Sequence, residues 1–511
     1  MVQLNWTSAN LHMSHKKGGL LKMATNGTLM QFFHWYYPGD GSLWNDLASK
    51  AEELKNVGFT ALWLPPAYKG WTGVEDRGYG IYDLFDLGEF EQKETVRTRW
   101  GTKEEFLNAL SAAKAQGIQV YEDIVFNHKN GADETEEVEA VAVDRENRNN
   151  PPPGQGQRQL IEVWSRFLFP GRGDIYSPMK WHWYHFDATD FNQKTQSKDI
   201  LWRLKEKVFD TPVDPEKGNF DYLQSMDLDM DRVDVRENLK FWGEWFIDLT
   251  SIDGFRIDAA KHIRFFFFNE WLDYLRSKTG KELFSVAEYF DDDTQVLQEY
   301  IRQTGRRISL FDFPLQNRFH LISQHRNDFS LADIFNGTLT QADPTLSVQF
   351  IENHDLQPGR ENARPVEPWF KPLAYALILL RQEGYPSVFY PDFYGAQYTG
   401  ESDELVTLYD HSFLLKKFMY TRLNHAYGPQ HDYFDHSNIV GWTRTGDSEH
   451  PKALAVIMSD GPAGTKWMNV ERSNAQFHDI TEHTKEPVQT NSEGWGEFRC
   501  KKGSVSVWIE D

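Results

Sequence analysis

Short apolar runs set the rhythm of this chain. LMQFFHWY (29–36), ALWLPPA (61–67), VYEDIVFNH (120–128), DGFRIDA (253–259), ELFSVAEYF (282–290), ISLFDF (308–313), LSVQFIENH (346–354) and PSVFYPD (386–392) are rich in β-branched or aromatic residues and end in polar groups. That is the pattern of strands buried on both faces. Between several of them apolar positions recur at helical spacing, in LWNDLASKAEELKNVG, KEEFLNALSAAKAQG, ENLKFWGEWFIDLTS, FFNEWLDYLRSKTG and WFKPLAYALILLRQEG. In the last the apolar residues nearly encircle the helix, and Gly384 is expected to close it. A strand–helix unit repeated eight times predicts an α/β chain folded as a (β/α)8 TIM barrel.

Two departures from the rhythm divide the chain. The stretch between His128 and Asp253 contains PPPGQGQ and a Trp/Asp-rich tract and is too long for an ordinary crossover, so an inserted domain is expected after the third strand. Beyond about residue 425 the pattern changes to short alternating segments, NIVGWTRTG, KALAVIMSDG, TKWMNVE and GSVSVWIED, which predict a C-terminal antiparallel β-sandwich. The expected division is a barrel from 23–128 and 234–424, an insert at 129–233 and a β domain at 425–511. Residues 1–22 are expected to be disordered.

Composition removes several classes of function. With 54 Lys+Arg against 76 Asp+Glu, the net charge of -22 repels nucleic acid and anionic membranes. The single cysteine, Cys500, allows no intrachain disulfide. No run has the length of a membrane span, and the N-terminal segment lacks the apolar core of a secretory signal, so a soluble, cytoplasmic monomer is expected. Aromatics reach 15%, many beside Gly, Asp and His in QFFHWYYPGDG and KWHWYHFDATDF. Flat apolar rings edged by carboxylates and amides suit sugars.

Barrel enzymes carry their chemistry where the strands end. Those ends supply Asp123, Asn127 and His128 from the third strand, Arg256 and Asp258 from the fourth, Glu288 from the fifth, His354 and Asp355 from the seventh and Asp392 from the eighth. Side chains alternate along a strand, so in GFRIDAAKH Arg256 and Asp258 point the same way. A guanidinium and carboxylates converging on one rim, with no phosphate loop, suit cleavage of a glycosidic bond by a carboxylate pair.

DIVFNH (123–128), GFRIDAAKH (254–262), VAEYF (286–290) and FIENHD (350–355) together resemble the four signature regions of the α-amylase family of glycoside hydrolases. The resemblance runs from NGTLMQFFHWYYP to GSVSVWIED. It is nearest to the bacterial liquefying and intracellular members through LPPAYKG, YDLFDLGEF, FKPLAYALILL and NSEGWGEF. It implies endo-hydrolysis of α-1,4 bonds in starch, glycogen or maltodextrins, with Asp258 as nucleophile, oriented by Arg256, and Glu288 as general acid and base. Asp355 would be the third carboxylate, holding hydroxyls of the distorted sugar. His128 and His354 would donate to that sugar, Tyr79 would stack beneath it, and Lys261 and His262 would lie on the leaving-group side. A retaining pair of this kind stands ~5–5.5 Å apart, and crowding by carboxylates is expected to keep Glu288 protonated. Phe290 stands where relatives often carry Trp, which bears on subsite preference. A transglycosylase and a catalytically dead glucan-binding barrel are the competing readings; dead members lose carboxylates, and here all three are present.

The insert adds an acid-rich set in HFDATD, FDTPVD and NFDYLQSMDLDMD. Oxygen ligands without Cys suit Ca²⁺. The resemblance implies a calcium held by Asn127, Asp221, Asp227 and the backbone carbonyl of His262. Asp187, Asp210 and Asp229 would be ligands of an adjoining Ca-Na-Ca cluster. A further metal site at the C-terminal domain is not expected, because Asn438 replaces a carboxylate there.

Overall fold

The computed structural model describes residues 26–152, 156–325 and 329–511; the segment 1–22 lies outside these, and with it the disorder expected there. Eight parallel strands close into a barrel: Leu29–Gln31, Ala61–Leu64, Gln119–Ile124, Gly254–Ile257, Phe284–Ala287, Ser309–Phe311, Ser347–Gln349 and Tyr385–Phe389. Each lies within or at the edge of one of the eight apolar runs. The strands are almost wholly buried, as continuous apolar sequence requires when helices cover the outside and side chains fill the inside.

Register brings the chemistry together before any loop is considered. On the fourth strand Arg256 lies opposite Asp123 of the third and Val286 of the fifth. Neighbouring residues in register share a face, so the guanidinium and the Asp123 carboxylate meet inside the barrel. Gly254 opens the fourth strand, where a Cβ would stand 2.1 Å from the Phe284 carbonyl oxygen. Only glycine allows that approach.

The helices Leu43–Val57, Lys103–Ala115, Val233–Thr250, Phe265–Thr279 and Lys371–Leu380 follow the five helical patterns. The second starts at a full capping box, with Thr102 and Glu105 satisfying each other's backbone N–H groups. One end differs from expectation. The Lys371–Leu380 helix stops at Leu380, and Gly384 instead turns the chain into the eighth strand at φ +77, against the Gln349 side chain. The entry to that strand, rather than the helix end, takes the left-handed residue.

Between the third and fourth barrel strands the chain builds a six-stranded antiparallel sheet, in the order His128–Lys129, Met226–Leu228, Phe186–Thr189, Leu201–Leu204, Glu134–Val143 and Gln159–Arg166. Its first two strands pair His128 with Asp227, at the point where the chain leaves the barrel. After the helix Ser412–Asn424, strands from Gln430 onward form a second six-stranded antiparallel sheet faced by the two-stranded sheet of Gly464–Asn469 and Trp495–Cys500. A separate core of Ile457, Met468, Phe477, Phe498 and Trp508 lies between these layers.

Candidate active site and acidic cluster

Arg256 is the hub of the barrel mouth. Its Nη1 donates to Asp123 Oδ1 at 2.8 Å and to Asp258 Oδ1 at 2.6 Å, and its Nη2 donates to Glu288 Oε2 at 2.5 Å. The guanidinium lies over the Trp63 ring, 5.0 Å from its centroid. Burial works against its charge, but the three carboxylates outweigh that and push its pKa further up. One cation facing three carboxylates leaves the group with excess negative charge. Burial, reinforced by Glu288 and Asp123 and opposed by Arg256, pushes the Asp258 carboxyl up. Burial likewise pushes Asp123 up to about 6 against the same arginine.

The backbone is bent to serve this arrangement. Immediately after Asp258, Ala259 adopts φ +50 and ψ +36, a left-handed conformation rare for a residue with a Cβ. The turn aims the Ala259 N–H at Glu288 Oε2, 3.5 Å away, while the Ala260 N–H bonds the Glu288 carbonyl at 3.0 Å. The fourth and fifth strand ends are thereby locked to each other.

His354 and Asp355 follow the seventh strand. Gln31, on the first strand, donates its amide to His354 Nδ1 at 3.2 Å, which leaves the ring's hydrogen on Nε2. That Nε2 is 3.2 Å from Asp355 Oδ2. Burial and then Arg256 keep the imidazole neutral, well below its ordinary pKa. Tyr79 stacks on His354 at 5.1 Å and 12°, and its hydroxyl donates to Asp123 at 2.8 Å. His128 is buried, and its Nε2 already contacts the Tyr79 carbonyl (2.9 Å) and the Gln224 amide (3.0 Å). Its Nδ1 is buried without a hydrogen-bond partner. Lys261 contacts Glu216 at 2.8 Å and Asp291 at 3.1 Å, and His262 Nδ1 lies 2.7 Å from the Phe220 carbonyl.

Asp392, expected at the rim, is buried away from this set. Lys371 bonds it at 2.5 Å and Glu352 at 2.9 Å, and Tyr375 donates to it at 2.7 Å. Burial, opposed by Lys371, pushes Glu352 up to about 7. These four groups form an internal brace behind the seventh and eighth strand ends.

The second cluster sits where the insert leaves the barrel. Asp187, Asp210 and Asp221 are buried and offer carboxylate oxygens within 4.8 Å of one another. Asn127 donates its amide to Asp227 at 2.8 Å, so the Asn127 Oδ1 and Asp227 Oδ2 atoms remain. Those two atoms, both Asp187 oxygens and Asp210 Oδ1 are buried without a hydrogen-bond partner. Burial first, then mutual repulsion, pushes Asp187, Asp221 and Asp227 well up and Asp210 up to about 7. Asp229 differs from the rest: it pairs with Lys207 and accepts the Asp231 N–H at 2.9 Å. Asn438, at the C-terminal domain, donates to Asp460 at 3.0 Å.

A family model described as the alpha amylase catalytic domain matches residues 36–395, and a second, for the α-amylase C-terminal region, matches residues 454–509. The chain belongs to the α-amylase family, and it is a glycoside hydrolase. The α-amylase of Geobacillus stearothermophilus is 50% identical over 491 residues, covering 95% of this chain and 87% of that protein. The α-amylase of Bacillus licheniformis is 47% identical, covering 95% and 94%. The cytoplasmic α-amylase of Escherichia coli K12 is 41% identical, covering 95% and 99%. Among solved structures, an Anoxybacillus α-amylase has a TM-score of 0.63 at 18% identity, over 95% of this chain and 97% of that one. A three-domain cyclomaltodextrin glucanotransferase reaches 0.64 at 18%, over 95% and 99%. These structural likenesses concern the fold alone.

Within the α-amylase framework, three contributors had no role assigned from sequence. Asp123 opens DIVFNH and could have been found there. Gln31 comes from the first strand and Arg360 from the loop just beyond FIENHD, and only packing ties them to His354 and Asp355.

Proposed function

We propose that this chain is an endo-acting α-amylase that hydrolyses internal α-1,4 bonds of starch, glycogen or maltodextrins with retention. The observation that carries the reading is the single guanidinium shared by Asp258 and Glu288 at the carboxyl ends of adjacent barrel strands. Asp258 attacks the anomeric carbon as Glu288 protonates the departing glycosidic oxygen, giving a covalent glycosyl-enzyme. Glu288 then takes a proton from water, which attacks the same carbon and releases Asp258. Asp355 and the Nε2–H of His354 hold sugar hydroxyls, and Tyr79 gives the ring an apolar floor. Lys261 stands at the leaving-group side.

The donor set of the second cluster fits a hard divalent cation. It is all oxygen, buried, mutually repelling and short of hydrogen-bond donors. Asn127, Asp187, Asp210, Asp221, Asp227 and the His262 carbonyl would hold Ca²⁺, which when bound would neutralise the cluster and tie insert to barrel. Asp229, already neutralised by Lys207, would contribute only by giving up that pair. Among the described residues no helix is long and apolar enough to cross a membrane. A relative named as cytoplasmic supports work on intracellular glucan.

The test is release of reducing ends from soluble starch by wild type and Glu288→Gln, with Ca²⁺ supplied and the product anomer followed by NMR. Mixed oligosaccharides in the retained configuration, lost in the variant, are expected. Redistributed chain lengths without new reducing ends would make the protein a transglycosylase.

A further inference from the structure

Arg360 lies seven residues beyond Asn353, outside the four motifs, yet it reaches into the barrel mouth. Its Nη2 donates to Asp355 Oδ1 at 3.3 Å, and its Nη1 pairs with Glu401. Its guanidinium lies on the Trp35 indole, 3.7 Å from the ring centroid. Trp35 is fixed in turn, with Arg77 on its ring at 4.5 Å and its backbone N–H donating to Gln357 Oε1 at 3.0 Å. Glu401 is fixed as well: its Oε2 accepts the Glu361 N–H at 2.8 Å and its N–H donates to the Gly359 carbonyl at 2.9 Å. Three chain segments that follow three different barrel strands therefore converge on one side chain. They are the loop with Trp35 after the first strand, the loop with Asp355 after the seventh and the hairpin Ala396–Leu408 after the eighth.

Resting on the hydrolase reading above, we propose that Arg360 is a positioning residue for Asp355, clamped by Glu401 and Trp35 so that the carboxylate is held ionised and oriented toward the sugar. The geometry favours this over a surface ion pair. The Arg360 side chain is only 18% exposed, whereas Asp355 retains 34%, so the carboxylate meets the cleft while its partner is sealed behind it. A fork that stacks on an indole and bridges two carboxylates is something arginine does and lysine does not. The groups facing Asp355 are His354 beside it, Arg360 and Glu401 on one side, and Arg256 and Tyr79 from the barrel. Burial raises the Asp355 carboxyl, and Arg360, followed by Arg256, is what opposes that. Without Arg360 the carboxyl rises further and protonates at a higher pH.

The experiment compares wild type, Arg360→Gln, Arg360→Lys and Glu401→Gln in kcat and KM on soluble starch across pH, and in Tm across pH. Arg360→Gln should lower kcat about ten- to a hundred-fold with a smaller change in KM, since misplacing a group by an ångström has that effect. The acid limb of its pH profile should also move to higher pH. Arg360→Lys should restore the acid limb but not the full kcat, and Glu401→Gln should move both in the direction of Arg360→Gln by less. An Arg360→Gln enzyme with the wild-type acid limb would overturn the clamp, as would Lys doing no better than Gln. Should wild type hydrolyse no glucan, the functional reading falls by itself, and the clamp is then read from Tm. The destabilisation by Arg360→Gln should shrink as pH falls and the two carboxylates protonate, and a pH-independent difference would overturn it.

Discussion

Two buried acidic clusters lie a short distance apart in this protein, and they solve the same electrostatic problem in opposite ways. At the barrel mouth Asp123, Asp258 and Glu288 share the guanidinium of Arg256, supplied by the strand between them. In the insert, Asp187, Asp210, Asp221 and Asp227 have no such partner among the described residues. Arg148, whose charge Asp221 and Asp227 feel, gives its Nη1 to the carbonyls of Asn219 and Tyr222 instead. A cluster that carries its own cation offsets part of its repulsion with nothing bound, although one guanidinium for three carboxylates still leaves Asp258 raised, whereas a cluster without one must import a cation or hold protons. The first arrangement suits chemistry and the second suits binding.

The sharpest way to break this contrast is to alter one carboxylate in each cluster. Glu288→Gln should reduce starch hydrolysis by about 10²–10⁴-fold or more while Tm stays close to wild type, since general acid–base catalysis supplies factors of that size. Asp187→Asn should do the reverse in excess chelator and raise Tm by relieving repulsion, while shrinking the gain in Tm that Ca²⁺ gives. A rise in Tm with Ca²⁺ as large as that of wild type would mean that Asp187 is no ligand.

Removing the cation comes next. Chelation is expected to lower the Tm of wild type by several degrees or more, and added Ca²⁺ to restore it, as for any ion that binds only the folded state. An unchanged melting curve after long exposure to chelator would remove the metal from the description.

The pH dependence sharpens the comparison further. Asp210 is pushed up to about 7 in the folded protein against about 3.9 for an unfolded aspartate, so between those values the folded chain holds the extra proton. In chelator, stability should therefore fall as pH rises from about 4 to about 7. With Ca²⁺ bound the trend should weaken or reverse, because protons and the ion compete for the same oxygens. Parallel Tm–pH curves with and without Ca²⁺ would contradict this.

The smallest effect concerns the frame beneath the first cluster. Gly254→Ala forces a Cβ against the Phe284 carbonyl and should cost about 1–3 kcal/mol in denaturant unfolding, with a decline in kcat as Arg256 shifts. Wild-type stability would mean that the strands part at no cost.

Much of this was legible in the chain. The eight strands could be read because burial on both faces writes itself as continuous β-branched and aromatic sequence. Arg256 and Asp258 could be assigned one face by counting alternate residues. What escaped depends on contacts between distant segments. Asp392 ends its strand as a catalytic residue would, and nothing local says that Lys371 neutralises it from the helix before. Asp229 resembles the other aspartates of NFDYLQSMDLDMD, and nothing local says that Lys207 pairs with it. Gly384 follows an apolar helix as a helix-closing glycine would, but its left-handed turn packs against Gln349 on the neighbouring strand.

One peptide link, Asn127 to His128, joins the two clusters. Asn127 points its amide at Asp227 among the insert's carboxylates, while His128 contacts the Tyr79 carbonyl at the cleft and, with Lys129, begins the insert's sheet. A disturbance on one side of that link is felt on the other within a single residue. Heating in the absence of the ion would then slacken the cleft wall before the barrel opens. Inactivation would run ahead of melting, and the enzyme would lose its grip on substrate while still looking folded.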